Sequence, residues 1–152
     1  MTIVTVDDPR QPEVESLVLA SDAYAQSLYP TGACTSLALA ELVADGVAVF
    51  VARDADGRAL GIAALVNRGD GTGELKRLFV SDAGRGQGVA TAVMDALEAA
   101  GRAQGIHTLQ LETGPKQLAA IALYAQRGYG HIENFGPNVG DQFSVCMEKP
   151  LA

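Results

Sequence analysis

The chain has 152 residues, a length typical of one domain, and 48% of them are hydrophobic, which argues against disorder. Its formal net charge of −7 argues against a nucleic-acid partner, because nucleic-acid-binding proteins normally present a basic surface. The apolar stretches are short and interrupted by charge, and the N-terminus lacks a signal-peptide pattern, so no membrane association is expected. We therefore expect one cytoplasmic domain over residues 1–152, with Cys34 and Cys146 reduced.

The first part of the chain predicts one strand followed by two helices. Thr2 to Val6 alternates as a short strand does, and Glu13 to Leu28 has apolar residues at helical spacing. A second, short helix is predicted from Ser36 to Ala44, with Thr35 as its N-cap. Mixed α/β structure is therefore expected from the start.

The next part predicts a meander of three antiparallel strands. Val47 to Arg53 has the composition of a strand, and an Asp-Gly turn joins it to a second strand from Arg58 to Asn67. A glycine-rich turn from Gly69 to Gly73 then leads into a third strand, Glu74 to Val80. Turns this short allow only antiparallel neighbours.

The remaining elements add a parallel strand and a closing hairpin. A helix from Val89 to Ala103 is predicted to cross over to a strand from His107 to Glu112, parallel to the one that starts at Glu74. A helix from Leu118 to Arg127 follows, and Tyr129 to Glu133 and Phe143 to Glu148 are predicted to pair. We expect a single α/β domain with a mixed, mostly antiparallel, twisted sheet flanked by about four helices.

The turn before the Val89 helix carries glycine at Gly84, Gly86 and Gly88. Glycine is about 1 kcal/mol worse than alanine in a helix, so these residues do not serve helix stability. The first amides of a helix have no internal partner and lie at the positive end of its dipole, which suits an anion such as a pyrophosphate. A P-loop is excluded because no Lys-Ser or Lys-Thr pair occurs, and the glycine spacing differs from the dinucleotide pattern Gly-x-Gly-x-x-Gly. A surface turn without a ligand remains the alternative.

Two segments together carry a family resemblance. Arg85, Gly88 and Ala90 fit Gln/Arg-x-x-Gly-x-Gly/Ala, so this turn resembles the coenzyme A pyrophosphate motif of the GNAT superfamily of N-acetyltransferases. Downstream, Ala120 and Tyr124 lie on one helical face and are followed by Gly-Tyr, which resembles the second half of that coenzyme site. The resemblance implies a GNAT-like fold whose parallel strands splay apart at their C-terminal ends.

The same resemblance implies a binding site for acetyl-CoA as co-substrate, without a metal. The strand that ends at Val80 would bind pantetheine through its backbone, and the glycine turn would bind the pyrophosphate. The residues implied are Leu78, Phe79 and Val80 on the strand, Arg85, Gly86, Gln87, Gly88, Val89 and Ala90 in the turn, and Gln117, Ala120 and Tyr124 on the later helix.

Tyr124 and Glu74 are the catalytic candidates that the resemblance implies. Family tyrosines at the position of Tyr124 protonate the leaving thiolate, although a packing role is the alternative. Glu74 lies eleven residues before Arg85, the place of the general-base glutamate in histone-type members, although it could also be a solvated charge at a strand start. Glu112 on the adjoining strand is a rival base, because an apolar setting raises the pKa of a carboxylate.

The acceptor is expected to be an amine of a small molecule or a protein. In GNAT proteins the first-helix region lines the acceptor pocket, which here directs attention to Asp22, Tyr24 and Tyr29. An acidic chain suits a cationic amine. A homodimer is compatible with the sequence. The alternative function is a non-catalytic acyl-CoA-binding or sensing domain, whereas the predicted hairpins argue against a Rossmann-like nucleotide-binding module.

Overall fold

The computed structural model describes residues 2–28, 42–136, 139–142 and 144–151. Its strands are β1 (Ile3–Val6), β2 (Val47–Arg53), β3 (Ala59–Asn67), β4 (Thr72–Val80), β5 (Thr108–Thr113), β6 (Gly130–Ile132) and β7 (Val145–Pro150). Its α-helices are α1 (Pro12–Leu28), α2 (Val89–Ala103) and α3 (Leu118–Gln126), and a 3-10 helix spans Asp82–Gly84. The described residues thus contain three α-helices, and the predicted helix from Ser36 to Ala44 lies largely outside them.

The strands form one sheet in the order β1-β2-β3-β4-β5-β7-β6. β1 to β4 form an antiparallel meander, β4 and β5 are parallel and joined through α2, and β7 lies between β5 and β6, antiparallel to both. The predicted mixed sheet with one parallel pair and a closing hairpin is confirmed.

Two hydrophobic clusters lie on opposite faces of the sheet. On one face α1 packs through Val14, Leu17 and Val18, whose helical spacing was visible in the sequence, against β2 and β3. On the other face α2 packs through Met94 and Leu97, both fully buried. Burying one such side chain stabilises the fold by about 1.5–3 kcal/mol, so both helices are fixed firmly to the sheet.

The parallel pair is short and opens into a gap. β4 pairs with β5 only from Thr72 to Leu75, opposite 108–111, although β4 continues to Val80 and β5 to Thr113. Beyond the last pair, no described strand lies between the facing edges of β4 and β5. This is the splay that the family resemblance implies.

A bulge in β4 accompanies the gap. Between the pairs Ala64–Lys76 and Ile62–Phe79, two residues of β4 lie opposite one residue of β3. One of the two, Arg77, has φ 55°, a left-handed conformation that costs a non-glycine residue about 1–2 kcal/mol. Its buried guanidinium donates a hydrogen bond from Nη1 to Asp22 Oδ1 on α1 at 2.6 Å. Helix α1 is thereby connected directly to the bulged end of β4.

Candidate active site

One edge of the end of β4 has no strand partner. Phe79 and Val80 pair with Ile62 and Gly61 of β3 on one side, whereas no described strand pairs with β4 beyond Leu75 on the other. Leu78, Phe79 and Val80 are half-buried. An extended ligand can therefore add to this edge as a further strand through backbone hydrogen bonds.

Gly86 and Gly88 give the turn after β4 its shape. Their φ angles are 75° and 73°, in the left-handed region that L side chains rarely adopt. A Cβ at either position would meet no atom within 4 Å, so the constraint is conformational rather than steric. Gly84 is different, because its Cβ would lie 3.1 Å from Leu60 and Val80. The glycines thus set the turn and pack it closely on the sheet.

The turn presents a row of backbone N–H groups at the start of α2. The first helical hydrogen bond runs from Ala92 N–H to the Gly88 carbonyl at 3.0 Å. Among the described residues, five earlier N–H groups have no hydrogen-bond partner, those of Gly86, Gly88, Val89, Ala90 and Thr91. With the helix dipole, they form a site suited to an anion.

The side chains of Arg85 and Gln87 lie on the outside of this turn. Arg85 forms an exposed ion pair with Asp82 at 3.1 Å, a contact worth at most about 1 kcal/mol. It can therefore exchange that partner for a bound anion at small cost. Gln87 donates from its amide nitrogen to the Ala83 carbonyl at 2.6 Å, so its side chain braces the turn.

Helix α3 follows β5, the strand on the other side of the gap. Gln117 precedes the helix, and its side-chain oxygen accepts hydrogen bonds from the Thr113 hydroxyl and from the Gly114 N–H, which ties α3 to the end of β5. Ala120 packs half-buried against the core. Tyr124 is buried, and its ring lies 5.7 Å from that of Tyr129 between centroids.

The hydroxyl of Tyr124 makes no hydrogen bond to any described residue. Burial raises the pKa of Tyr124, and the negative charge of Glu112 raises it further. The phenol is therefore protonated at neutral pH.

Glu74 and Glu112 lie on the same face of the sheet but in different surroundings. Glu74 is opposite Gln110 in the paired part of the parallel strands, and it forms ion pairs with Arg68 at 2.9 Å and Lys76 at 3.2 Å. Glu112 follows Leu111, the last residue of β5 that pairs with β4, and it accepts a hydrogen bond from the Ser144 hydroxyl at 2.9 Å. Although Glu112 is exposed as a residue, partial desolvation of its carboxylate raises its pKa, and the Ser144 hydrogen bond opposes that rise.

The end of α1 approaches the same part of the sheet. Tyr24 packs on Phe79 with 6.3 Å between ring centroids, and Asp22 binds Arg77. Tyr29, the third residue that the sequence suggested here, lies outside the described residues, as does Cys34. In the described part of the chain, no group of three or more His, Cys, Asp or Glu residues could hold a metal ion, and no helix is both long and apolar enough to cross a membrane.

A buried charge network beside the site was not anticipated from the sequence. Glu98 of α2 accepts hydrogen bonds from Arg127 at 3.1 and 3.2 Å, from Lys149 at 2.8 Å and from the Tyr129 hydroxyl at 2.9 Å. Burial alone would raise the pKa of Glu98, but these three donors outweigh it and lower the pKa. A sequence signal for this network was that Glu98 lies on the apolar face of α2, next to Leu97.

A sequence model described as the acetyltransferase (GNAT) family matches residues 13–129. The chain belongs to the GNAT acetyltransferase family. The matched span contains the gap, the glycine turn and α3, so the resemblance found in the sequence motifs is confirmed.

Individual relatives of this GNAT protein agree with the assignment. An IAA acetyltransferase from Azospirillum brasilense is 36% identical over 146 residues, which are 95% of this chain and 95% of that protein. A solved structure from Klebsiella pneumoniae subsp. pneumoniae, of a protein assigned to the acyl-CoA N-acyltransferases, is 37% identical with a TM-score of 0.85, covering 100% of this chain and 99% of that one. A GNAT family acetyltransferase from Elizabethkingia anophelis with acetyl-CoA bound is 13% identical with a TM-score of 0.71, covering 98% and 97%, and shares the fold.

Proposed function

We propose that this GNAT protein transfers an acetyl group from acetyl-CoA to a primary amine of a small molecule or a protein. The observation that supports the proposal is the arrangement of three features of the site. The unpaired edge of β4 leads into the row of unpartnered N–H groups at the start of α2, and the protonated hydroxyl of Tyr124 lies beside the gap. Membership of the GNAT family supports the same reaction.

In this proposal the backbone of β4 and the glycine turn hold the two ends of one ligand. The edge at Leu78, Phe79 and Val80 accepts the pantetheine amides, as a sheet edge accepts another strand. The unpartnered N–H groups of Gly86, Gly88, Val89 and Ala90 bind the pyrophosphate, with Arg85 adding a positive charge outside the turn. Gln117 and Ala120 line the opposite wall.

Acetyl-CoA supplies an activated acyl group, and the protein positions the two reactants and transfers protons. An amine attacks the thioester directly, and holding both reactants in place contributes several kcal/mol to the lowering of the barrier. A backbone N–H of Phe79 or Val80 stabilises the negative charge that develops on the carbonyl oxygen. Tyr124 gives its proton to the departing thiolate, and one of two carboxylates, Glu74 or Glu112, takes a proton from the amine.

A thiol-release assay with a panel of amines tests the proposal. The panel contains small metabolite amines, polyamines, aminoglycosides and lysine peptides, and it includes IAA because the Azospirillum relative is named for that compound. Release of free coenzyme A that depends on one acceptor is the expected result. If acetyl-CoA binds tightly but no acceptor releases thiol, a non-catalytic acyl-CoA sensor replaces the enzyme. Absence of acetyl-CoA binding refutes both functions.

A further inference from the structure

The two carboxylates next to the gap differ in how their oxygens are occupied. Oε1 of Glu74 accepts a hydrogen bond from Arg68, and its Oε2 lies 3.2 Å from the Lys76 ammonium. Only 14% of the Glu74 side chain is exposed. Both oxygens of Glu74 are therefore occupied by cationic partners, and little of the side chain is open to an acceptor.

Glu112 has the opposite arrangement. Its Oε1 accepts one hydrogen bond from Ser144, and its Oε2 accepts none from the described residues. The residue is exposed, and it lies just beyond Leu111, where the parallel pairing stops and the gap begins. The carboxylate is also near enough to Tyr124 for its charge to act on that hydroxyl. An oriented carboxylate with a free oxygen, next to the proton donor, is what amine deprotonation needs.

We propose that Glu112 is the residue that removes the proton from the acceptor ammonium, with Ser144 as the residue that positions it. This inference rests on the proposed acetyl transfer. The ammonium gives one proton to Glu112 Oε2, and the freed amine forms a bond to the thioester carbonyl carbon. The carbon–sulfur bond then breaks, and the thiolate takes the proton of Tyr124. The nitrogen loses its second excess proton, which returns Tyr124 to its neutral form, and Glu112 releases its proton to water.

The charged and titratable groups that face Glu112 come from several elements. Lys76 and Glu74 approach from β4, Tyr124 from α3, Cys146 from β7, and Asp141 and Ser144 from the segment before β7. Desolvation has the largest effect and raises the pKa of Glu112, Asp141 and Glu74 add to the rise, and Ser144 and Lys76 oppose it. A raised pKa makes Glu112 a stronger base at neutral pH.

Three glutamine variants, assayed with acetyl-CoA and the best amine of the screen, test the assignment. Glu112→Gln keeps the shape and the Ser144 contact but removes the base, so kcat/KM should fall by about 10²–10⁴-fold with acetyl-CoA affinity unchanged. Glu74→Gln should lose less activity than Glu112→Gln. Glu148→Gln is the matched control, because Glu148 lies on the same sheet face, hydrogen-bonded to Gln110 at 3.0 Å, and should retain full activity.

The pH dependence of kcat/KM provides a second test. It should shift if Glu112 is the base, whereas a residue that only supports the fold would leave it unchanged. Ser144→Ala removes a hydrogen bond that lowers the pKa of Glu112, so the acidic limb of kcat/KM should move to higher pH. Asp141→Asn removes a negative neighbour, so the limb should move to lower pH. The inference would be overturned if Glu112→Gln kept full activity or if Glu74→Gln lost more activity than Glu112→Gln. It would also be overturned if the acidic limb of kcat/KM did not shift in Ser144→Ala and Asp141→Asn. Each of these results would leave the proposed acetyl transfer intact. A wild-type protein inactive with every amine would instead overturn the proposed function, and this inference with it.

Discussion

Replacing Tyr124 by phenylalanine should lower activity without lowering stability. The ring and its 5.7 Å contact with Tyr129 remain, and the hydroxyl that is lost has no hydrogen-bond partner among the described residues. Tyr124 Oη is not among the fully buried atoms without a partner, so removing it should leave the free energy of unfolding of the free protein nearly unchanged. For a domain of this size, each kcal/mol changes Tm by roughly 2–4 °C.

The kinetic effect of Tyr124→Phe should be large even though the stability hardly changes. Losing a general acid costs about 10²–10⁴-fold in turnover, or roughly 2.7–5.4 kcal/mol in the barrier. The expected pattern is a lower kcat at an unchanged KM for acetyl-CoA, measured by thiol release alongside a melting curve. Unaltered turnover together with a lower Tm would refute the reasoning and leave Tyr124 as a packing residue.

Tyr129→Phe is the matched control for this experiment. The Tyr129 hydroxyl donates to Glu98 at 2.9 Å, and a hydrogen bond to a charged group is worth about 1.5–3 kcal/mol. This variant should therefore lose stability while each folded molecule keeps its turnover. The two substitutions remove the same atom from neighbouring rings, so any general effect of losing a hydroxyl cancels between them.

Four further outcomes are expected. Acetyl-CoA at a hundred times its dissociation constant should stabilise the protein by about 2.7 kcal/mol in a thermal melt, whereas ATP and NAD should not; a larger effect of ATP would contradict the site. Gly88→Glu should abolish acetyl-CoA binding in a calorimetric titration, while Gly105→Glu, at the similar φ of 82° but outside the glycine turn, should suffer comparable strain and bind normally. Glu98→Gln should destabilise the fold by about 3–5 kcal/mol, because Arg127 and Lys149 lose their shared carboxylate. Since the pKa of Glu98 is lowered on folding, wild-type stability against urea should decline as pH falls below about 4.3, and the variant should show less of this decline.

The sequence predicted best the bounds of those strands and helices that depend on a local residue pattern. Val47–Arg53 and Val89–Ala103 have the predicted bounds, because a β-branched run and a helix between glycines both have sharp ends. The last strand was placed at Phe143 to Glu148, whereas β7 spans Val145–Pro150. Its C-terminal residues pair with the start of β5, and Pro150 is tolerated at the strand end, where no further ladder hydrogen bond is needed.

What the sequence left open depends on contacts between distant residues. The bulge at Arg77 is fixed by Asp22, 55 positions earlier, and the Glu98 network joins α2 to the end of α3 and to β7. Likewise, the sequence favoured Glu74 as the base and named Glu112 as its rival, and the difference in how their oxygens are occupied depends on neighbours that the sequence does not show. Residue type and spacing place a group on an element, but its hydrogen-bond partners belong to the tertiary structure.

The short parallel pairing has a mechanical consequence for the whole domain. Four residue pairs join β4 to β5, compared with seven between β2 and β3 and six between β5 and β7. The two antiparallel parts of the sheet are thus joined to each other by only a short stretch of backbone pairing, and the hydrophobic cluster around α2 packs across both. A ligand that lies along the free edge of β4 would act as the missing length of strand. This short connection between the two parts of the sheet would then be reinforced by the molecule that it binds.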